Sequence, residues 1–277
     1  MLVCGDALKE LQKLQSNSVD IGVTSPPYNK QENKKGWLVK NVIYDATSDK
    51  LDEEYYQKSQ IAVLDEVYRV TKEGGSFFYN HKIRWEKGRL IHPLEWIVKT
   101  QWNLRQEIIW DRGIAANIRG WRFWQVEERI YWLQKPKGKN LIGEELQSRH
   151  ALLSSIWRIR PESNNAHPAP FPLALPLRCI FSILNEKSGV VLDPYCGSGT
   201  SGIAAKILNC EFIGIDNSQN YLEFAKHRIA NYRDYIQEAQ NELQLHKVRE
   251  SFKEKKQKGK TKNRFLPTTS LFNTDIN

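Results

Sequence analysis

The stretch that most restricts how this chain can fold is residues 190–216. An apolar run that ends in an acid, VVLD (190–193), passes through the turn PYCGSG into a helical pattern from about residue 202, and a second run, EFIGID, follows at 211–216. Another helical pattern begins near residue 220. Strands that alternate with helices in this way favour an α/β protein whose sheet is doubly wound and mostly parallel.

The rest of the chain continues this alternation, with two interruptions. Apolar runs of strand length predict four further strands, at 19–24, 76–80, 107–110 and 128–133. Apolar residues at helical spacing predict a helix over 53–71, which EGG at 73–75 is expected to stop. Polar, aperiodic sequence predicts a loop or lid at 30–52 and an irregular insertion at 136–170. The basic run 247–264 predicts a helix that gives way to disorder.

The composition predicts a cytoplasmic protein with no membrane partner. The 277 residues include no apolar run long enough to cross a bilayer, and the N-terminus lacks the apolar segment of a signal peptide. The net charge of +9 favours a polyanionic partner. The four cysteines are scattered without C-x-x-C spacing, which argues against a zinc ribbon or a disulfide framework and predicts buried thiols.

The tryptophans support the same kind of partner. All nine fall between Trp37 and Trp157, and several alternate with arginine, as in IRGWRFW (118–124). Arginine for phosphates and aromatic faces for unstacked bases is a combination found in nucleic-acid-binding proteins. Burial in the core is the alternative interpretation, and it is expected to hold for most of these tryptophans.

The turn after residue 193 has the features of a cofactor loop. Gly197 and Gly199 permit positive φ and close approach of a ligand, and the turn opens a helix N-terminus. The P-loop motif is absent, which argues against ATP-driven chemistry, and the dinucleotide fingerprint is not fully met. Asp193 for an ammonium group and Asp216 for a ribose diol, one at the end of each strand, favour S-adenosylmethionine over NAD.

The loop TSPPYN (24–29) directly follows a predicted buried strand. Pro26 and Pro27 stiffen the backbone and carry no N–H, so the loop is rich in fixed acceptors. If the Ser25 hydroxyl and the Pro26 carbonyl accept both N–H bonds of an exocyclic amine, its lone pair is localised for in-line attack on a sulfonium methyl. Tyr28 is predicted to stack on a base flipped out of the duplex. Taken alone, the loop is better interpreted as a rigid surface turn, and the glycine loop reverses that preference.

With both motifs in view, the sequence resembles the amino DNA methyltransferases that use S-adenosylmethionine. Their catalytic tetrapeptide, (D/N/S)-P-P-(Y/F/W), is matched by SPPY (25–28), and their cofactor loop by DPYCGSGT (193–200). The catalytic motif comes first, as in the circularly permuted β group. The resemblance spans roughly residues 1–232 and implies a Rossmann-like class I methyltransferase fold with a doubly wound, seven-stranded, mostly parallel sheet.

The resemblance also implies which residues form the site. GDAL (5–8) resembles the acidic turn beside the adenine, HPAPF (167–171) the segment over the methionine part, and IGIDNSQNY (213–221) the ribose-binding strand and helix. The implied cofactor-binding residues are Asp6, His167, Pro168, Phe171, Asp193, Tyr195, Cys196, Gly197, Gly199, Thr200, Asp216 and Asn217. The implied catalytic residues are Ser25, Pro26, Pro27 and Tyr28, and no metal is implied.

Serine in the first motif position is characteristic of the cytosine-N4 enzymes, whereas adenine-N6 enzymes usually carry Asp there. The resemblance therefore implies site-specific methylation of cytosine N4 in double-stranded DNA by base flipping, with adenine N6 as the alternative. It further implies a restriction-modification system, with a cognate restriction endonuclease as a partner in function only, and it is compatible with a homodimer.

The resemblance divides the chain into four regions. They are a catalytic half at 1–110, target-recognition loops at 111–165 with one core strand near 127–134, a cofactor-binding half at 166–235, and a basic C-terminal helix or tail at 236–277. Sequence reading is assigned to the Trp/Arg loop at 111–126 and to 136–160. The candidates for contacts with phosphates or guanine edges are Arg119, Arg122, Lys137 and Lys139, with solvated surface charge as the alternative for each.

Two other function classes remain open from the sequence. A dinucleotide-dependent oxidoreductase would explain the glycine loop and Asp216, but it leaves TSPPYN and the basic charge without a role. A catalytically inactive DNA-binding module on the same fold would explain the charge, but the intact SPPY and the two strand-end acids argue against it.

Overall fold

The computed structural model describes residues 1–29, 51–115, 120–139, 154–162, 171–245 and 256–259. Met1–His246 form one compact unit and Lys247–Asn277 a second. The catalytic and cofactor residues predicted from the sequence all belong to the first unit. The predicted loop or lid at 30–52 and the predicted basic run 247–264 fall almost entirely outside the described residues.

Within the described residues the chain forms ten strands and seven α-helices. The strands are β1 (Leu2–Cys4), β2 (Val19–Thr24), β3 (Thr71–His81), β4 (Arg84–Glu86), β5 (Arg89–Ile91), β6 (Asn103–Asp111), β7 (Glu127–Gln134), β8 (Ile156–Arg158), β9 (Val190–Asp193) and β10 (Glu211–Asp216). The helices are α1 (Ala7–Gln12), α2 (Glu53–Val70), α3 (Leu94–Ile97), α4 (Ala174–Leu184), α5 (Thr200–Ile207), α6 (Gln219–Ala230) and α7 (Ile236–Leu245), and a 3-10 helix covers Tyr232–Tyr235.

Eight strands form one sheet in the order β1-β10-β9-β2-β3-β7-β6-β8, and β4 pairs with β5 in a separate hairpin. All neighbours in the large sheet are parallel except β7, which is antiparallel to both β3 and β6. The predicted α/β fold with a mostly parallel sheet is confirmed. The strand beyond the predicted seven is β8, which lies where an irregular insertion was expected. Only Trp157 of its three residues is buried, so its apolar pattern is too short to recognise.

The prediction that EGG (73–75) stops the second helix is wrong. Helix α2 ends at Val70, and β3 begins at Thr71, whose hydroxyl donates to the Val67 carbonyl at 2.7 Å. The glycines lie inside β3, where the pairing with β2 shifts register and Gly74 has a φ of 79°. Glycine permits this left-handed conformation at a bulge, and the two glycines therefore mark an irregular strand and not a helix end.

Apolar side chains pack on both faces of the sheet. Phe77 and Phe78 are neighbours on β3, and each belongs to a different buried cluster because successive strand residues point to opposite faces. One cluster joins the sheet to α4 and α5, and the other joins it to α1, α2 and α3. Helices therefore cover both faces, as predicted for a doubly wound sheet. Each fully buried Phe stabilises the fold by about 1.5–3 kcal/mol.

Five of the nine tryptophans are buried in the core, as expected for most of them, Trp85 is partly buried, two are exposed, and Trp37 lies outside the described residues. The five buried ones are Trp96, Trp102, Trp110, Trp132 and Trp157. Trp121 and Trp124, in the loop between β6 and β7, are exposed. The prediction of buried thiols holds for Cys179, Cys196 and Cys210, whereas Cys4 is exposed at the end of β1.

Candidate active site

The carboxyl ends of the parallel strands bring the two predicted motifs together at one edge of the sheet, which we call the carboxyl edge. Strand β2 pairs with both β9 and β3, so the TSPPYN loop and the glycine loop leave neighbouring strands. Thr24 Oγ1 donates to Asp193 Oδ1 at 2.7 Å and links the two strand ends. Because β7 is antiparallel, its first residues, Glu127 and Glu128, lie at this same edge.

Ser25 takes part in a compact network of side chains from three strand ends. Its Oγ lies 2.7 Å from the Tyr28 hydroxyl, which donates to Glu128 Oε2 at 2.9 Å. The Asn80 amide nitrogen donates to Tyr28 Oη at 2.6 Å and to Glu128 Oε2 at 3.1 Å, and it lies 3.3 Å from Ser25 Oγ. Arg112 Nη1 donates to Glu128 Oε1 at 3.0 Å. No local signal in the sequence indicated the roles of Asn80, Glu128 or Arg112.

A buried tyrosine braces the double proline. The Tyr56 hydroxyl, from α2, lies 2.7 Å from the Pro27 carbonyl and 2.7 Å from His81 Nε2. The other ring nitrogen of His81 lies 2.8 Å from the Lys82 carbonyl. The Pro27 carbonyl is therefore already used within the protein, and the loop is held to the end of β3.

Tyr28 does not have the open ring face that the sequence predicted. Only 7% of the residue is exposed, and its ring centroid lies 4.7 Å from that of His81. In this geometry the ring packs inside the site, and the hydroxyl is the part of Tyr28 that faces Ser25. Stacking on a flipped base would require the ring to leave this position.

Asp193 organises the site from within. It is 0% exposed, and it accepts from the Thr24 hydroxyl, from the Ser201 hydroxyl at 2.6 Å and from the Tyr195 backbone N–H at 3.1 Å. In this structure the carboxylate therefore presents no exposed surface to an ammonium group, and the predicted contact stays a prediction. The side chain instead ties β2, the glycine loop and α5 together.

The glycine loop is shaped by two positive φ angles and by Asp216. Gly197 has a φ of 46° and Gly199 a φ of 77°. Asp216 Oδ2 accepts from the Gly197 N–H and Oδ1 from the Ser218 N–H, both at 2.9 Å. Burial raises the pKa of Asp216 above its ordinary value. A carboxylate has about four acceptor sites, so Asp216 keeps capacity to accept from a diol at the end of β10.

Arg228 supports the same loop from α6. Its guanidinium donates to the Ser198 carbonyl at 2.9 Å and to the Thr200 hydroxyl at 3.1 Å, and its Nη2 lies 3.3 Å from Glu162 Oε1. Arg228 is buried, and a buried guanidinium is stable only when it is paired and hydrogen-bonded. The sequence showed only an arginine near the end of a helix, and nothing local indicated that it faces the glycine loop.

Comparison with known proteins decides the family of this chain. The DNA methylase family N6_N4_Mtase matches residues 19–227, a span that contains β2, TSPPYN, the glycine loop and Asp216. The chain belongs to this family.

Named relatives and solved structures agree with the assignment. Type II methyltransferase M.HpaI of Haemophilus parainfluenzae is 29% identical over 253 residues, which cover 82% of this chain and 73% of that protein. Type II methyltransferase M.HinfI of Haemophilus influenzae is 27% identical over 248 residues, which cover 81% of this chain and 67% of that protein.

The fold is shared with solved structures. TTHA0409 of Thermus thermophilus, described as a candidate DNA modification methylase and solved with S-adenosyl-L-methionine, has a TM-score of 0.60 and 25% identity over 83% of this chain and 95% of that one. PvuII DNA methyltransferase (cytosine-N4-specific) has a TM-score of 0.64 and 18% identity over 86% of this chain and 92% of that one, which supports a shared fold. This DNA methylase is therefore an S-adenosylmethionine-dependent amino-DNA methyltransferase.

The residues of this methylase fit the cofactor in part. Asp216 provides a carboxylate and Gly197–Gly199 a segment without bulky side chains, whereas Asp6 is exposed and caps α1 by accepting from the Lys9 N–H at 3.0 Å. Asn217 is exposed at the end of β10, and Phe171 is partly buried against the core. The side chains of Tyr195, Cys196 and Thr200 are partly or fully buried in the loop. His167 and Pro168 lie outside the described residues.

The candidate DNA-reading residues of the methylase separate into two groups. Arg122 lies in the loop between β6 and β7, at the carboxyl edge, with its guanidinium carbon 4.1 Å from the centroid of the Trp85 ring. Lys137 and Lys139 follow the carboxyl end of β7, which is antiparallel and therefore ends at the opposite edge of the sheet. The structure thus contradicts the grouping of these lysines with the Trp/Arg loop. Arg119 lies outside the described residues.

No cluster of three or more metal-ligating side chains occurs in the described parts of the methylase. Its described helices include none long and apolar enough to cross a membrane. The region from residue 236, predicted to be basic, begins with α7, which carries Glu238 and Glu242 and no basic residue. Helix α7 packs on α4, where Glu242 pairs with Arg178.

We expect Asp193→Asn to change how the stability of the methylase depends on pH. Burial raises the pKa of Asp193 to about 6 from 3.8, against the opposing effect of its hydrogen bonds. A raised carboxyl pKa means that the folded state holds the proton more tightly, so this group favours folding most below about pH 4 and loses that contribution as the pH rises through about 6. Asparagine does not ionise, so the free energy of unfolding of the variant should lack this decline. Urea unfolding of both proteins from pH 4 to 7 measures the difference, and parallel pH curves would contradict the expectation.

Proposed function

We propose that this methyltransferase modifies the exocyclic N4 of cytosine in double-stranded DNA at a specific sequence, by base flipping and direct in-line attack. The observation that carries the proposal is the position of Ser25. It stands first in the SPPY motif at the carboxyl end of β2, next to the glycine loop, and its hydroxyl faces the Tyr28–Asn80–Glu128 network. Serine at this position is typical of cytosine-N4 enzymes.

The geometry supports a division of labour within the loop. The Pro27 carbonyl lies 2.7 Å from the Tyr56 hydroxyl, which supports assigning the target amine to Ser25 Oγ and the Pro26 carbonyl. Two acceptors that engage both N–H bonds localise the lone pair of the amine and aim it at the incoming methyl group. S-adenosylmethionine would supply that methyl group from its sulfonium, with loss of the S–CH3 bond as the N–CH3 bond forms and of one amine proton to solvent. Gly197, Gly199 and Asp216 are proposed to bind S-adenosylmethionine beside β9 and β10. The buried Asp193 side chain is proposed to maintain the conformation of the glycine loop.

The chemical identity of the product tests the proposal. Purified protein is incubated with genomic DNA and tritiated S-adenosylmethionine, and the DNA is digested to nucleosides. We expect label in N4-methylcytosine, and label in N6-methyladenine alone would replace the proposal by its adenine alternative. Long-read modification detection on DNA from a host that expresses the chain gives the sequence context.

The exposed aromatic loop between β6 and β7 is the proposed DNA-reading surface. Phe123 is 97% exposed, and Trp121 and Trp124 are exposed beside it. Trp121 packs edge-on against Trp85 of the β4–β5 hairpin at 6.1 Å, and the Arg122 guanidinium lies over both rings. Large apolar side chains exposed next to a cation at the mouth of the site suit unstacked bases and phosphates.

We expect Phe123→Ala to weaken DNA binding by about 5- to 150-fold, because an aromatic platform contributes about 1–3 kcal/mol per stacked base. Leu104→Ala is the matched control, since Leu104 is also exposed but lies at the start of β6, at the opposite edge of the sheet. Fluorescence anisotropy with a labelled duplex at fixed salt compares both variants with the parent. Equal affinities for parent and Phe123→Ala would remove this loop from the interface.

The biological setting is proposed from the relatives. Two of them are named type II methyltransferases, which supports a role beside a restriction endonuclease that shares the recognition sequence. The two proteins would act on the same site without a required contact. The homodimer allowed by the resemblance stays a prediction.

A further inference from the structure

Glu128 occupies a position that the reaction described above does not use. It is the second residue of β7, it is 6% exposed, and its carboxylate lies directly behind the TSPPYN loop. One oxygen accepts from Arg112, and the other accepts from Asn80 and from the Tyr28 hydroxyl. A buried carboxylate that faces a guanidinium is stabilised by surrounding donors, and each of these three neighbours donates to it.

A carboxylate at the end of a hydroxyl chain fixes the direction of every hydrogen in that chain. An ionised carboxylate only accepts, so the single proton of the Tyr28 hydroxyl points at Glu128 Oε2, 2.9 Å away. Tyr28 Oη then has no proton to give Ser25, and the 2.7 Å contact between them requires Ser25 to donate. The proton of Ser25 therefore points inward, along the chain.

Asn80 reinforces this direction. Its amide nitrogen, placed between Tyr28 Oη and Glu128 Oε2, donates to both, because an amide oxygen in that place would face an acceptor-only carboxylate. Tyr28 Oη thus accepts from two donors and donates to one acceptor. Every member of the chain points its proton toward Glu128.

We propose that Glu128 is a positioning residue that, through Tyr28, makes Ser25 present only lone pairs to the target base. This inference rests on the proposed contact between Ser25 and the target amine. A serine whose proton is committed inward accepts from an amino group but cannot donate to a carbonyl. This series of hydrogen bonds therefore favours bases with an exocyclic amine over bases with a carbonyl at the same position, such as cytosine over uracil.

The tyrosine hydroxyl in this series of hydrogen bonds is a property of this protein, and the methyltransferase tetrapeptide does not require it. The tetrapeptide that SPPY matches also allows Phe and Trp in its fourth position, and neither carries a hydroxyl. Tyr28 provides the hydroxyl, Glu128 and Asn80 are its partners, and Arg112 pairs with Glu128 from a third segment of the polypeptide.

A double-mutant cycle tests the proposal. The four proteins are the parent, Tyr28→Phe, Glu128→Gln and the double variant, with Glu127→Gln as the matched control because Glu127 is the neighbouring half-exposed glutamate, paired with Arg129. Single-turnover methylation is measured on a duplex that carries the modified sequence, together with Kd for S-adenosylmethionine and the thermal midpoint. Tyr28→Phe keeps the ring against His81 and leaves Glu128 bonded to Arg112 and Asn80, so it tests the chain even if Glu128→Gln folds poorly.

We expect each single variant to lower the single-turnover rate by about 10- to 100-fold, by analogy with residues that orient the ligands of catalytic metals, with unchanged Kd for S-adenosylmethionine. The double variant should be no slower than the slower single variant, since both changes break one chain. Glu127→Gln should keep the parental rate. A parental rate in Tyr28→Phe, or a double variant whose loss is the product of the two single losses, would overturn the proposal.

Base discrimination supplies a second readout that a purely structural role would not move. In Glu128→Gln the new amide N–H can face Tyr28, so the protons of Tyr28 and Ser25 can turn outward and Ser25 can donate to a carbonyl. The preference in binding for a duplex with cytosine over one with uracil at the target position should therefore shrink in this variant. An unchanged preference contradicts the inference, whereas failure of Ser25→Ala to affect methylation would instead remove the proposed function on which it rests.

Discussion

Replacing Ser25 with alanine is expected to lower the single-turnover rate of methylation by about 100- to 1,000-fold, the usual cost of removing one preorganised hydrogen-bonding group from a reacting centre. Ser25 Oγ is the proposed acceptor for the target amine, and the variant leaves only the Pro26 carbonyl to hold it. The cofactor loop leaves a different strand, β9, so Kd for S-adenosylmethionine should stay unchanged. Rapid-quench measurement with tritiated cofactor gives the rate.

Ser16→Ala is the matched control for this loss. Ser16 lies before β2, at the edge of the sheet opposite to the site, where its hydroxyl accepts from Arg69 at 2.9 Å. Its replacement removes one exposed hydrogen bond and should leave the rate of methylation intact. A Ser25→Ala variant that binds cofactor and methylates at the rate of the control would exclude Ser25 from the chemistry.

The second large effect is expected for Gly199→Ala. A Cβ at this position would lie 2.8 Å from the Ala225 Cβ and 3.1 Å from its Cα, and the φ of 77° is already unfavourable for alanine. The strain costs about 1–2 kcal/mol and overpacking adds about 1–3 kcal/mol, so the free energy of unfolding should fall by about 2–5 kcal/mol. The stabilisation that S-adenosylmethionine gives the parent should also shrink, because the loop must move away from α6. Urea unfolding with and without cofactor measures both.

Gly113→Ala separates the two causes. Gly113 also has a positive φ, 68°, but a Cβ there would have no heavy atom of the described residues within 4 Å. This variant should show the conformational cost alone, with the full stabilisation by cofactor. If both variants lost equal stability, the contact with Ala225 would contribute nothing.

Features carried by contiguous residues could be predicted from the sequence. The strands at 19–24, 190–193 and 211–216 are found with the predicted bounds, because each is a short apolar run between turn residues. The family, the α/β fold and the cofactor followed from the motifs that those strands position. The prediction from EGG was wrong, because glycines next to a helical pattern usually indicate a helix end. Here they lie inside a strand, at a bulge in its pairing.

The supporting residues of the site could not be predicted in this way. Glu128 is separated from Tyr28 by 100 residues and Arg228 from Ser198 by 30, and only the pairing of strands and the packing of α6 bring them together. For Asp193, the sequence suggested a role that could not be judged without knowing how the side chain is packed. Its position at a strand end suggested a ligand contact, but Thr24 and Ser201 cover it from two other elements. The roles of the individual cofactor residues stay predictions.

The reversed direction of β7 has a consequence for how recognition can change. Strand β6 delivers the chain to the carboxyl edge and β7 takes it up again at that edge, so residues 112–126 form an excursion with both ends anchored by the pair Asp111 and Glu127. Doubling the length of a flexible loop between fixed ends costs only about 0.6 kcal/mol. The excursion is thus an exchangeable module: a graft from another methyltransferase is expected to replace the sequence proposed to read DNA while the strands that carry the proposed reacting groups stay as they are.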